Sequence, residues 1–195
     1  MRVGAQSADY VEEEFRRPYF AIKTNMAANM LAVPNVEIER HMGSRDRYSI
    51  MAELWFPWYF RHHKADSREL LNFGMEGRYW FGRQHALHPG TGLFTGVYIS
   101  GGKYDKEDNY KGRQGEYLSL GITAGWGRCL ARNLSLELSL SLGWVGGPQE
   151  KYEDFGHNNI LIWTGDDHLN YFGPTKLKIS LVYLIRPRMK KGGRR

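Results

Sequence analysis

Cysteine is almost absent from this sequence, because Cys129 is the single example among 195 residues. One cysteine excludes an internal disulfide, and it gives no information about the redox compartment. Long apolar runs are also missing. No stretch of 18 consecutive apolar residues occurs, which excludes a transmembrane helix. A chain that crosses a membrane with strands needs no such run, because each strand exposes apolar groups on only one face.

Proline is scarce, with seven residues, whereas glycine and tyrosine are abundant, with 23 and 12. Together with 42% hydrophobic and 14% aromatic residues, this composition excludes a disordered chain and favours β-structure. The length fits a single domain.

The formal net charge of +6 is concentrated at the C-terminus. Six of the 27 basic residues lie within the last ten positions, namely Arg186, Arg188, Lys190, Lys191, Arg194 and Arg195. The remaining 21 basic residues equal the 21 acidic ones, so the body of the chain is neutral. The tail therefore does not indicate a folded nucleic-acid-binding face, and no nucleic-acid partner is expected.

The clearest local pattern is a strict alternation between Asn133 and Gly146. One face carries Leu134, Leu136, Leu138, Leu140, Leu142 and Trp144, and the other carries Ser135, Glu137, Ser139, Ser141 and Gly143. A period of two over this length predicts a β-strand, and its length suits a tilted membrane span of about 9–11 residues.

Eight such segments follow one another along the chain. They cover residues 19–32, 34–43, 47–60, 69–82, 91–104, 115–128, 133–146 and 174–186. Short connections at 43–47, 82–91 and 128–133 alternate with longer ones at 104–115 and 147–173, which is typical of outer-membrane barrels. The sequence thus predicts an all-β fold, a single antiparallel up-and-down transmembrane β-barrel of about eight strands at residues 18–186. A flexible arm is expected at 1–17 and a basic disordered tail at 187–195.

The polar column is expected to face the lumen, because it is rich in Ser, Gly, Asn and Thr rather than in long charged residues. Its few charges can pair inside a narrow barrel. The predicted lumen charge network comprises Lys23, Glu37, Glu39, Glu53, Glu76, Arg78, Glu137, Lys176 and Lys178. Aromatic residues near strand ends predict two interfacial girdles, formed by Tyr19, Trp58, Tyr79, Tyr104, Trp126, Trp144 and Tyr183. The alternative is a soluble or periplasmic barrel that binds an apolar ligand inside.

Several short segments resemble a known protein family. They are Phe20 to Asn25 (FAIKTN), Pro34 to Glu37, Glu53 to Trp58, Glu76 to Gly82, Gly92 to Tyr98 and Gly101 to Asp105. In order and spacing they resemble a family of small outer-membrane β-barrels of unknown function from Gram-negative gut anaerobes, over about residues 18–186. The resemblance implies a location in the outer membrane and a cell-surface or fimbria-related gene context, without an established activity.

An outer-membrane protein needs a secretory signal peptide. Val3, Gly4 and Ala5, followed by Gln6, are similar to the cleavage end of such a peptide, although residues 1–10 contain no apolar region. We therefore expect translation to begin upstream, and an ordinary cytoplasmic start is the alternative.

Histidines and acidic residues provide only weak signals for chemistry. The pairs His62 with His63 and His85 with His88 lie in different connections, whereas zinc needs three or four converging ligands. A lipid-modifying enzyme would need a nucleophile, a histidine and an acid together. The residues considered for it are Ser100, Ser139, Ser141, Asp154, His157, Asp166, Asp167 and His168. Nothing in their spacing brings them together, so no metal, no cofactor and no catalytic residue is predicted, and the protein is not expected to be an enzyme.

The connection at 147–173 is rich in apolar groups for an exposed segment. Its candidate contact residues are Tyr152, Phe155, His157, Trp163, Tyr171 and Phe172. They predict a cover over the barrel mouth or a binding surface. The sequence thus favours a structural or surface-contact role in the outer membrane, with membrane lipid, lipopolysaccharide and a cell-surface protein as expected partners. A lipid-modifying barrel enzyme is the further alternative.

Overall fold

The chain folds into a closed barrel of eight antiparallel strands in sequential order. The computed structural model describes residues 20–42, 47–56, 68–82, 90–108, 111–154 and 161–185. The strands are β1 (Phe20–Asn25), β2 (Asn35–Met42), β3 (Tyr48–Trp55), β4 (Arg68–Trp80), β5 (Gly92–Asp108), β6 (Lys111–Ala131), β7 (Leu134–Asp154) and β8 (Leu161–Ile185), and one short helix, α1 (Met26–Met30), follows β1. This confirms the predicted all-β, up-and-down barrel of eight strands. The N-terminal arm and the basic tail lie outside the described residues.

The barrel closes because β1 pairs with both β2 and β8. Lys23 of β1 pairs directly with Val182 of β8. When the cross-strand pairs are followed from Lys23 in the other direction, through β2 to β7, they reach β8 at Tyr171. This offset of about ten residues tilts the strands strongly against the barrel axis and gives an interior narrow enough for side chains to fill.

The interior of this barrel is polar. Among the described residues, 22 buried side chains are polar or charged and only eight are hydrophobic. On β7 the residues Ser135, Glu137, Ser139 and Ser141 are buried, whereas Leu138, Leu140 and Leu142 are exposed on the outer face. The same parity holds around the barrel, so the column of small polar residues lines the lumen and the apolar column faces outwards.

The inner end of the lumen, on the side of the β6–β7 turn, is filled by rings and apolar groups. Trp80 is fully buried, its ring lies 4.6 Å from the Phe94 ring and 5.7 Å from the His41 ring, and its indole N–H donates to Ser49 Oγ over 2.9 Å. Ala21, Val182 and Leu184 form a small buried apolar cluster. These groups close this end of the barrel.

The C-terminal strands are longer than the sequence predicts. Strands β6, β7 and β8 have 21, 21 and 25 residues, whereas β1 has six. The connection expected at 104–115 is mostly strand, because β5 and β6 remain paired up to Asp108 and Lys111. The connection expected at 147–173 is mostly strand as well, since β7 and β8 are paired from Leu142 and Pro174 up to Asp154 and Leu161. Both loop predictions are wrong because hydrogen-bonded pairing continues where the apolar alternation stops.

The connection between β1 and β2 also differs from the prediction, which extended the first strand to residue 32. The chain forms α1 instead, and Asn25 caps it by accepting from the backbone N–H groups of Ala27 (3.1 Å) and Ala28 (3.5 Å). Asn is a favourable capping residue, and Met and Ala have high helix propensity. Among the described residues, no helix is both long and apolar enough to cross a membrane.

Candidate functional site

All nine residues of the predicted lumen charge network lie inside the barrel. Eight of them are at most 3% exposed, and Lys176 is half-buried with a side chain that is 10% exposed. The structure separates them into two clusters of ion pairs, one nearer to the inner end and one nearer to the outer end of the lumen. The two clusters are separated along the barrel axis, because successive inward residues on one strand are two positions apart and lie at different depths in the lumen.

The inner charge cluster is centred on Arg78 of β4. Its Nε donates to Glu76 over 2.7 Å, and its Nη1 donates to Glu137 over 2.8 Å and lies 3.5 Å from Glu39. Lys23 bridges Glu137, at 2.5 Å, and Glu39. The Arg78 guanidinium also lies over the Phe94 ring, 4.5 Å from its centroid. Three buried carboxylates therefore converge on two buried cations.

The outer charge cluster is built on Glu53 of β3. Its two carboxylate oxygens accept separately from Lys176 and from Lys178, the latter over 2.5 Å, and Lys178 also pairs with Glu37 at 3.1 Å. Asn72 donates to Glu53 over 3.3 Å and accepts from the Tyr117 hydroxyl over 2.7 Å. This hydrogen-bonded chain links the outer cluster to the aromatic residues above it.

Three residues of the inner part of the lumen are absent from the predicted charge network, although the alternation had placed Ser49 on the polar column. His41 is fully buried with Nε2 3.8 Å from Glu39, Ser49 donates to Glu39, and Trp80 donates to Ser49. The signal for them was available. His41 has the same strand parity as Glu39, and Ser49 has the same parity as Glu53, so both had to face inwards.

Tyr98 of β5 fills the middle of the lumen and was also missed. It is 5% exposed, and its hydroxyl lies 2.5 Å from Thr175 Oγ1 and 3.1 Å from Ser119 Oγ. Two inward glycines lie beside it. A Cβ at Gly143 would lie 2.3 Å from the Leu120 backbone oxygen and 2.6 Å from the Tyr98 hydroxyl, and one at Gly121 would lie 2.2 Å from the Leu142 backbone oxygen and 2.9 Å from the Tyr98 ring. The small residues that the alternation placed inside thus accommodate large neighbours.

A cavity of about 240 Å³ lies on the outer side of these charges. Its lining residues come from every strand from β3 to β8. The apolar part of the wall consists of Trp55, Leu70, Tyr104, Tyr117, Val145 and Leu169. Tyr104 was expected in the outer girdle, but it lines this cavity with its ring 6.3 Å from that of Tyr117. That prediction is wrong because Tyr104 has the inward parity of Ser100 and Tyr98.

The outer surface carries four of the other aromatic residues predicted for the girdles. Near the inner strand ends, Tyr79 packs against Tyr48 at 5.3 Å and Phe81 at 5.0 Å, and Trp126 and Tyr183 are exposed. Towards the outer end, the Trp144 indole donates to Asn170 over 2.7 Å. Tyr19 and Trp58 lie outside the described residues.

A surface ion pair marks the outer end of the apolar face on β5. Lys103 follows the exposed Leu93, Val97 and Ile99 on the same face, and its Nζ lies 2.6 Å from Glu116, with both side chains largely exposed. The hydrogen bond to Glu116 raises the pKa of Lys103 above its ordinary value. Charged groups thus replace apolar ones beyond Ile99 on this strand.

The predicted contact residues at 147–173 are not gathered in one loop. Tyr171 and Phe172 belong to β8 and are 45% and 80% exposed. Tyr152 and Trp163 face each other in the β7–β8 pairing, where the structure describes the backbone alone. Phe155 and His157 lie outside the described residues.

The residues considered for chemistry are scattered. Ser100, Ser139 and Ser141 are buried in the lumen, whereas His168 is exposed on β8. Asp154, Asp166 and Asp167 lie in strands with only their backbone described, and both histidine pairs, at 62–63 and 85–88, lie outside the described residues. In the part of the chain that is described, no three His, Cys, Asp or Glu side chains are placed to hold a metal ion.

A closed eight-stranded β-barrel with an ion-paired, side-chain-filled interior and an apolar outer face defines the class of this protein. Residues 6–185 match the family described as "Protein of unknown function (DUF3575)", so the chain belongs to that family. This confirms the resemblance to an uncharacterised family. No curated protein and no solved structure shows a significant match to the chain.

Proposed function

We propose that this protein is a non-catalytic β-barrel of a Gram-negative outer membrane, with a structural or surface-contact role carried by its long outer hairpins. The observation that carries the proposal is the inverted polarity of the barrel. Thirty large hydrophobic side chains are exposed among the described residues, while the buried side chains are mostly polar. Soluble proteins rarely expose contiguous apolar patches beyond a few hundred Å², and lipid is the solvent that such a surface fits.

The alternative of a soluble barrel with an apolar ligand inside does not match this arrangement. It requires the leucine column of β7 and the apolar column of β6 to line the interior. Leu140 and Ile122 instead face outwards, 47% and 60% exposed, and the interior positions beside them are Ser141 and Thr123. A water-soluble form of this barrel would leave its apolar columns in water and its ion pairs in the core.

The filled lumen does not favour a transport role through an open pore. The lumen is filled from the inner end by Trp80 and Phe94, then by the two charge clusters and by Tyr98. An eight-stranded barrel has an interior just wide enough for such side chains. The long hairpins β5–β6 and β7–β8 offer surface beyond the lipid layer, which supports a contact role at the cell surface, including a fimbria-associated one.

The test compares two arginine substitutions in the outward column of β6. Ile122→Arg introduces a charge into the middle of the apolar face and is expected to destabilise the barrel by about 2–4 kcal/mol in lipid. Gln114→Arg introduces the same charge beyond the apolar face and is expected to change the stability by less than about 0.5 kcal/mol. Both are measured as the fraction of heat-modifiable, fast-migrating protein on gels after refolding into lipid vesicles over a urea series.

The wild-type chain provides the companion measurement. It is expected to fold in detergent micelles or vesicles and to remain unfolded or aggregated in detergent-free buffer. Cooperative folding in plain buffer, or equal stability of the two arginine variants in lipid, would show that the outer face is not in contact with lipid.

A further inference from the structure

The cavity at the outer end of the lumen has the composition of a small binding site. Its wall carries the rings of Trp55, Tyr104 and Tyr117 together with three aliphatic side chains, and its polar part carries Asn72, Ser100, Ser119, Thr175 and Lys176. Small-molecule sites are lined mainly by apolar and aromatic groups with a few placed polar atoms. At about 240 Å³ the cavity is smaller than a drug-binding site and fits a compact molecule.

Two polar atoms on this cavity have no hydrogen-bond partner among the described residues. They are the hydroxyl of Ser100, which is 3% exposed, and the indole N–H of Trp55, both shielded from solvent. Buried polar atoms in proteins are usually paired, and these two are the ones among the described residues that line this cavity. The indole nitrogen can only donate, and the hydroxyl is able to donate, so a ligand with acceptor atoms satisfies both.

Lys176 supplies the charge at the cavity. Among the described lining residues it is the single charged one. Its ammonium is paired with Glu53 below and lies 4.4 Å from the centroid of the Tyr98 ring, and an ammonium has three donors. An anionic acceptor is attracted by Lys176, whereas a cationic ligand meets a like charge.

We infer that this cavity binds a small monocarboxylate with a compact aromatic or short apolar body. The carboxylate accepts from Trp55, Ser100 and Lys176, and the body packs against the wall formed by Tyr104, Val145 and Leu169. The inference goes beyond the proposed function, because the cavity is a property of the lumen and does not depend on where the barrel is located.

The test is isothermal titration of benzoate into the full chain refolded in detergent micelles. Saturable binding with a dissociation constant on the order of 0.1–1 mM is expected for so small a ligand. Benzamide, the uncharged analogue of the same shape, is expected to bind at least about tenfold more weakly, because a charge-assisted hydrogen bond is lost. The same titration with empty micelles measures partitioning of the probes into detergent.

Two variants and one matched control locate the site. Ser100→Ala is expected to weaken benzoate binding about fivefold, and Val145→Phe, which fills the cavity, is expected to abolish it. Ser180→Ala is the control, since Ser180 is equally buried and unpaired among the described residues but does not line the cavity. Gel mobility without boiling verifies that each variant is folded, and Leu169→Phe replaces Val145→Phe if the latter does not fold.

The outcomes separate cleanly. Binding that is saturable, weaker for benzamide and reduced by Ser100→Ala but not by Ser180→Ala supports the inference. Absence of saturable binding overturns it, and so does equal binding by the wild type and the cavity-filling variant. Equal affinity for benzoate and benzamide overturns the assignment of a carboxylate ligand. None of these results bears on the membrane location, which the arginine variants test separately.

Discussion

At the scale of single residues, the lumen is held together by charges that have no access to bulk water. Arg78 faces three carboxylates, those of Glu39, Glu76 and Glu137, and is itself 3% exposed. Burying such charges is costly unless each has a partner of opposite sign with good geometry. Arg78 therefore stabilises the barrel mainly by keeping three buried carboxylates paired.

Replacement of Arg78 by methionine tests this role. Arg78→Met keeps a similar volume but leaves Glu39 and Glu137 with Lys23 alone and removes the ion pair of Glu76. The free energy of unfolding is expected to fall by about 3–5 kcal/mol. Arg128→Met is the matched control, because Arg128 is an exposed arginine at the end of β6, and a change below about 0.5 kcal/mol is expected there. Urea unfolding of the barrel in lipid vesicles, followed by gel mobility, measures both.

A double variant distinguishes lost pairing from lost packing. Adding Glu76→Gln to Arg78→Met removes the carboxylate charge that loses its ion pair with Arg78 and is expected to restore about 1–3 kcal/mol. If the double variant is less stable than Arg78→Met alone, the contribution of Arg78 comes from its contacts with Phe94 rather than from its ion pairs.

The sequence contains most of this charge arrangement. Strand parity alone placed Lys23, Glu53 and Arg78 on the inward face, where the structure has them. Parity does not specify partners, because the pairing of Lys23 with Glu137 joins residues 114 positions apart through the closure of the barrel. His41 was missed for a different reason. Only two alternating apolar residues of β2 were recognised, so the strand pattern was not followed beyond Glu39.

At the scale of the strands, size complementarity across the lumen replaces an apolar core. Tyr98 of β5 occupies space that Gly121 of β6 and Gly143 of β7 leave empty. Similarly, a Cβ at Gly74 would lie 2.7 Å from Glu53 Oε1, and one at Gly96 would lie 2.9 Å from Glu76 Oε1. Inward glycines therefore stand where a large or charged side chain crosses the lumen.

Alanine at an inward glycine is expected to disrupt this complementarity. In Gly143→Ala the new methyl group would lie 2.3 Å from the Leu120 backbone oxygen and 2.6 Å from the Tyr98 hydroxyl, so a loss of about 1–3 kcal/mol in the free energy of unfolding is expected. Gly77→Ala is the control, because a Cβ at Gly77 faces outwards and meets nothing within 4 Å. The two variants are compared by thermal loss of the fast-migrating gel band, and equal midpoints would contradict the packing argument.

Element boundaries show where sequence reasoning reaches its limit. The alternation in β7 is strict through Trp144, and the central part of this strand was predicted correctly. Beyond Trp144, residues such as Gly147, Pro148 and Gln149 no longer alternate, yet β7 remains paired with β8. An alternating sequence pattern arises when the two faces of a strand meet different environments. Beyond the apolar face of the barrel, both faces of a strand meet polar surroundings, so the alternation ends. The hydrophobic alternation of the sequence therefore does not predict how far the hairpins extend.

At the scale of the whole molecule, the proposed membrane orientation makes an asymmetric prediction about the two ends. Cys129, the single cysteine, lies next to the β6–β7 turn at the inner end. The chain is expressed in Gram-negative cells that export it to the outer membrane. On intact cells, a polyethylene-glycol maleimide that is too large to pass porins is expected to leave Cys129 unlabelled until the outer membrane is permeabilised.

The opposite end is labelled through an introduced cysteine. Gln114→Cys, combined with Cys129→Ser, places a thiol at an exposed position of β6 beyond the apolar face, and labelling of intact cells is expected. Cys129→Ser alone is the unlabelled control. Labelling of Cys129 rather than of residue 114 on intact cells would reverse the orientation, and labelling of neither after permeabilisation would argue against a barrel exposed at both ends.

The unequal height of the barrel wall gives the molecule a front and a back. Strand β8 stays paired with β7 up to Leu161, but it is paired with β1 only as far as Ser180 opposite Asn25. A barrel with strands of equal length has the same rim on every side, whereas this barrel has a high wall at β7 and β8 and a low wall at β1. A partner that approaches this end of the barrel therefore meets a different profile on each side, and shape alone is enough to orient the encounter.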